Sequence, residues 1–168
     1  LIEANLEKID WASLSENPAA MHLLEANPDK ISWSYLSKNP AAIRLLEANL
    51  DKIDWHQLSL NPGAIPILEK NIHLVSWHML CMNPAAIPIL EKYPENLQIP
   101  YNLSTNPNAI HLLEQNIDKI DWDELSRNPN AIHIIEQNMD KISWIALSEN
   151  PNAIHLLEKR SEEHTSEL

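Results

Sequence analysis

Several side chains able to do chemistry recur through this chain at a fixed interval, and the interval decides what that chemistry can be. His22, His111, His133 and His155 stand at equivalent places, with Arg44, Pro66 and Pro88 at the same place elsewhere. A row of imidazoles suggests a metal ladder. One ion needs its nitrogens at about 2.0–2.1 Å, whereas stacked helices lie roughly 8–10 Å apart. Together with the Arg and Pro replacements, this points to a solvated helix face. A carboxylate recurs likewise, from Glu3 through Glu25, Glu47, Glu69, Glu91, Glu114 and Glu136 to Glu158, usually with Asp-Lys four and five residues later. Acid–base catalysis needs two differently tuned groups in one pocket, and identical carboxylates in identical settings do not provide that. They read as surface ion pairs or caps, each contributing ~0–1 kcal/mol.

Six tryptophans, Trp11, Trp33, Trp55, Trp77, Trp122 and Trp144, keep the same interval. An aromatic row can be a stacking platform for bases or sugars, or one core anchor per copy. The second reading is preferred, and it makes these residues structural; truncating a buried ring to Ala would then cost ~3–5 kcal/mol. The single glycine, Gly63, leaves hardly any material for a phosphate-cradling loop, and no Ser-His-Asp order or metal-ligand cluster is visible. Cys81 is the only cysteine, so there is no disulfide framework or thiolate zinc site, and a reducing, intracellular compartment is favoured. The chain is expected to be no enzyme and to use no cofactor and no metal.

The elements that must position these residues follow from the repeat. Asn-Pro heads each copy, at Asn17, Asn39, Asn61, Asn83, Asn106, Asn128 and Asn150, with spacings of 22, 22, 22, 23, 22 and 22. Counting each Asn as position one, the unit reads Asn-Pro-x-Ala-Ile-x-Leu-Leu-Glu-x-Asn-x-Asp-Lys-Ile-x-Trp-x-x-Leu-Ser-x. Each unit predicts two short helices. Asn at position one is an N-cap and Pro follows at the first helical place, where its missing N–H costs nothing. Ala, Ile, Leu and Leu at positions four, five, seven and eight make an apolar stripe of helical period. Asn at position eleven is expected to end that helix in the left-handed conformation. Asp or Ser at position sixteen caps a second helix carrying Trp at seventeen and Leu at twenty, which the next Asn-Pro stops. Such short helices are marginal alone, so they must stack, giving an all-α class, an α-solenoid of tandem helix-turn-helix repeats.

A 22-residue period also suits a leucine-rich repeat, with Ile120, Asp123, Leu125 and Asn128 in the signature places. The place that must be apolar holds Ala12, Ser34, His56, His78, Asp123 and Ile145 in successive copies, so helical pairs are preferred. The motifs Asn-Pro-Asn-Ala-Ile-His-Leu-Leu-Glu and Asp-Lys-Ile-Asp-Trp resemble a short repeat abundant in proteins of giant DNA viruses. The resemblance covers residues 1–159 and implies a repeat protein with no catalytic residues to carry over. The copy from Asn83 departs from the pattern: it has Tyr93 for the second Asn, no Trp and one extra residue. With Pro94 and Pro100 it should bend or interrupt the stack, and residues 72–103 should be the most apolar exposed stretch.

Residues 1–159 thus read as a single array: a partial copy 1–16, copies from 17, 39, 61, 83, 106 and 128, and a partial copy 150–159. The chain opens in mid-repeat, so more sequence is expected upstream. Residues 160–168 break the pattern after Lys159 and match the codon-by-codon translation of a common sequencing-library adapter, so an artefactual tail is expected there. The formal charge is −12, and −10 without that tail (21 acids, 11 bases). This balance disfavours nucleic acid, which needs a basic face. Residues 71–90 carry no charge, but Asn83-Pro84, Pro88, His73 and His78 argue against a membrane span.

Positions eighteen, nineteen and twenty-two vary while their neighbours stay fixed, so they are the candidate partner-binding places. The residues singled out are Tyr35, His56, Gln57, His78, Met79, Met82, Asp123, Glu124 and Ile145. The expectation is a non-enzymatic scaffold for a protein partner, with a self-associating structural or packaging component as the alternative.

Overall fold

A computed structural model describes residues 3–97 and 100–166. Their regular structure is wholly helical: fourteen α-helices, mostly of four to six residues, interspersed with 3-10 turns and without a strand. These residues form two compact units, 1–86 and 87–168, and the division falls inside the copy that begins at Asn83.

The copy from Asn39 shows why the sequence folds this way. Asn39 is extended at φ −75°, ψ 113°, and its Oδ1 accepts from the Ala41 N–H at 2.9 Å. Pro40 opens a 3-10 turn, Pro40–Ala42, which leads into the α-helix Ile43–Glu47. A second 3-10 turn, Leu50–Lys52, precedes Asp54, whose carboxylate accepts from the Gln57 N–H at 3.1 Å and caps the helix Trp55–Leu60. The copies from Asn17, Asn39 and Asn61 thus open with a 3-10 turn where periodicity alone shows only a helix. The cap at position sixteen also varies. Asp10, Asp121 and Ser143 accept backbone N–H groups, whereas Ser32 and Ser76 make no such side-chain bond.

Position eleven corrects an expectation. Asn49 sits at φ −140° and Asn71 at φ −127°, and no non-glycine residue among those described has positive φ. Each instead donates its Nδ2 to the carbonyl four residues back, Asn49 to Leu45 and Asn71 to Ile67, both at 2.9 Å. The side chain satisfies an orphan helix-end carbonyl, so the left-handed turn that would otherwise do so is not needed.

The core of each unit is aliphatic. In the first, Ala42, Leu46, Leu36, Leu58, Ala64 and Leu68 are fully buried; in the second, Ala109, Leu125, Ala131 and Ile135 are. The tryptophans are not part of it: all six are half-buried. Each is the first residue of its helix, at the margin of the stack, and a cation from the following copy lies over several rings. Lys52 Nζ is 4.8 Å from the Trp33 ring and Lys141 Nζ 5.2 Å from Trp122. They are clamps between copies, not core anchors, and the cost expected of a buried ring is too high for them.

In the second unit, Pro94 and Pro100 open the 3-10 turn Pro94–Asn96 and the helix Pro100–Ser104, where a missing N–H is harmless. Residues 98–99, at the expected interruption, lie outside the described residues. Among the described residues, exposed large apolar side chains do not concentrate over 72–103. Of Tyr35, Leu50, Leu74, Tyr101, Ile145 and Ile154, only Leu74 and Tyr101 fall there. The last helix, Ile154–Ser166, runs on past Lys159 where other copies turn.

Candidate interaction surface

Stacking fixes the second helices through polar bonds between copies. Asn61 Nδ2 donates to the carbonyls of Ser37 at 2.9 Å and Asn39 at 3.1 Å, and Asn83 repeats this on Ser59 and Asn61. In the second unit Asn128 binds Ser104 and Asn106, and Asn150 binds Ser126 and Asn128. These amides are buried. The serine two residues earlier makes a second row. Ser37 Oγ donates to the Trp33 carbonyl at 2.8 Å and accepts from the Asp54 N–H at 3.1 Å; Ser59 and Ser126 do the same with Ser76 and Ser143. Cys81 occupies this serine place in its copy, is fully buried, and burial pushes its thiol up to about 11. The lone cysteine is therefore a substituted serine of the row, protonated and unreactive at neutral pH.

Around the first helices the recurring polar residues pair between copies. His111 Nε2 lies 2.7 Å from Glu91 Oε1, His133 2.6 Å from Glu114, and His155 3.2 Å from Glu136. These side chains are about half-exposed, which is the solvated helix face the spacing implied, with each carboxylate meeting a histidine of the following copy. Asn130 and Asn152 add amide bonds to the Pro107 and Pro129 carbonyls at 2.9 and 2.8 Å.

The variable positions differ between the units. Tyr35 is exposed, with Lys38 Nζ 5.2 Å from its ring. Gln57, Leu60, Met79 and Met82 are half-buried, and His78 is exposed. His56 is exposed and its Nδ1 meets Ser76 Oγ at 3.2 Å. Residues three apart on a helix share a face, so Tyr35 and Lys38, and Gln57 and Leu60, form rungs on packed helices; Met79 lies on the next helix, Trp77–Leu80, and Met82 in the turn after it. In the second unit the same row is ionic. Arg127 bonds Glu124 at 3.2 Å and Glu149 at 3.0 Å and the Asp123 carbonyl at 3.3 Å. Glu149, chiefly, and then the other nearby carboxylates hold its guanidinium above its ordinary value. Ile145 is 81% exposed, while Ala146 beside it is buried. The candidate residues therefore make two surfaces, one with an aromatic ring and thioethers, and one in which Arg127 pairs with Glu124 and Glu149 while Ile145 stands exposed.

Sequence reading missed the Asn and Ser rows. Their signal was present in the Asn at position one of every copy and the Ser at position twenty-one of all but the copy with Cys81, which capping alone does not require of both.

The fold and its rows define a tandem helix-pair repeat protein. The chain matches no protein-family model, and no curated protein or solved structure is significantly similar to it.

Proposed function

We propose that this chain is a non-enzymatic scaffold that holds a protein partner on the variable face of its first unit, around Tyr35, Gln57, Met79 and Met82. The observation that carries the reading is the contrast within one row. The invariant positions are spent on the core and on bonds between copies, and in the second unit Glu124, Arg127 and Glu149 are spent on each other. The first unit's row keeps an exposed tyrosine and, two helices further on, half-buried thioethers, which adapt to apolar partners. A partner covering it gains ~25 cal/mol for each Å² of apolar surface buried.

The test is affinity capture with wild-type protein, with Tyr35, Met79 and Met82 changed to Ser, and with Asp123 and Ile145 changed to Ser as control. At least one captured protein should vanish with the triple variant and persist with the control. An identical set for all three removes this assignment.

A further inference from the structure

We infer that Trp55 and Asn71 form a cradle for an alkylammonium group, the lysine side chain of the protein partner. That the lysine belongs to a partner rests on the scaffold reading; that the cradle takes an ammonium does not.

Copies in which the chain supplies its own cation show what such a cradle holds. Position fourteen is Lys30, Lys52, Lys119 and Lys141 in four of them. Lys141 Nζ lies 5.2 Å from the ring of Trp122, in the copy before, and donates to Asn138 Oδ1 at 3.4 Å. The negative face of the ring and the amide oxygen hold one ammonium between them. Lys119 makes the same bond to Asn116 at 3.4 Å, and Lys52 lies 4.8 Å from the Trp33 ring.

The copy from Asn61 keeps every part of this arrangement except the cation. Trp55 opens the helix Trp55–Leu60 behind the Asp54 cap, as Trp122 opens Trp122–Arg127 behind Asp121. Asn71 donates its Nδ2 to the Ile67 carbonyl at 2.9 Å, as Asn138 does to Ile134, so the amide is held alike in both. Position fourteen is Leu74, whose N–H meets the Asn71 carbonyl at 2.9 Å, as that of Lys141 meets Asn138 at 3.0 Å. Leucine ends two bonds short of an ammonium nitrogen and carries no charge. Leu74 is 41% exposed, and among the described residues no cation lies over Trp55. Trp11 differs, because its copy keeps the lysine: Lys30 turns to Asp29 at 3.5 Å. An external ammonium is drawn by the net charge of −12, and Leu74 offers its methylene stem an apolar wall. Trp55 shares its helix with Gln57 of the variable row, so one partner can reach both.

The test follows the six indole N–H signals by NMR, with n-butylammonium chloride as probe and sodium chloride and n-butanol as controls. The Trp55 signal should shift saturably, half-way on the order of 0.1 M, and neither control should reproduce the shift. Leu74→Lys supplies the ammonium within the chain and should abolish the response. Glu25→Gln changes the net charge by the same amount and should leave it intact. Lys141→Leu should make Trp122 respond in addition. No response at Trp55, an equal response from all six indoles, a response matched by either control, or one unchanged in Leu74→Lys would each overturn the cradle, whatever affinity capture shows. In that capture, Leu74→Lys should lower recovery of the protein lost with the Tyr35, Met79 and Met82 variant. Full recovery, with the spectra as expected, would overturn the partner's use of the cradle alone.

Discussion

The two units share their buried framework and differ in the rungs exposed to water. Both carry the Asn and Ser rows with nearly the same bond lengths. On the first-helix side, the second unit adds three His–Glu pairs and the amides of Asn130 and Asn152. The first unit has Ala41 and Gly63 where those asparagines stand, and Arg44 and Pro66 at the histidine place. It has one Lys70–Glu47 pair on the first helices at 3.9 Å, and on the second-helix side Ser34 donates to Asp54 at 2.6 Å and His56 meets Ser76. Burial explains the division. A buried amide or hydroxyl must find a partner in every copy or leave a desolvated group unpaired, whereas an exposed rung is worth little and is free to change.

The comparison breaks most readily at the core. Leu58→Ala and Leu125→Ala remove fully buried side chains from the first and second unit, and each should cost ~2–5 kcal/mol. Urea unfolding should show similar losses, and a large inequality would mean that the two cores are not equivalent. Next come the buried amides. Asn61→Ala and Asn128→Ala each withdraw two donated bonds and the acceptor for the N–H of Gly63 or Asn130. Each should cost ~1–3 kcal/mol, with amide exchange faster at that N–H.

The exposed rungs should separate the units. Asn130→Ala should destabilise by ~0.5–1 kcal/mol, and Ala41→Asn should install a comparable bond to the Pro18 carbonyl and raise the urea midpoint. If neither moves it, the added rungs of the second unit contribute nothing. The smallest effect concerns acid. Burial pushes the Asp54 carboxyl up, but hydrogen bonds from Ser34 and the Gln57 and His56 backbone outweigh it and hold it below the usual range. A lowered folded value means stability present above the unfolded value, about 3.9, and lost as pH falls through the folded one. The gap in stability between wild type and Asp54→Asn should therefore be constant near neutrality and shrink below about pH 4. A gap independent of pH would show that the carboxylate's charge is not what matters.

Much of this was legible in the sequence. The period gave the all-α class, the Asn-Pro cap and the exposed His and Glu rows, because those depend on one copy's own spacing. The 3-10 turns were not legible, since Pro40–Ala42 is too short to show a period of its own. Trp33 and Trp122 read as core because invariance and size both suggested burial; the lysine over each ring comes from the next copy, which a unit read in isolation lacks. The same blindness hid the second bonds of Asn61 and Ser37. Of the candidate surface, the variable positions were visible, but not that Arg127 ties up Glu124 and Glu149 in the second unit.

The Asn and Ser rows also set how the molecule would yield to force. Every rung joins residues 17 to 24 apart along the chain, so a pull on the two termini loads neighbouring copies in series and no rung shields a distant one. Extension should proceed by peeling, each released copy of 22 residues adding up to ~75 Å of contour length. The array would then act as a compliant spring that lengthens in repeat-sized steps and rewinds by local contacts alone.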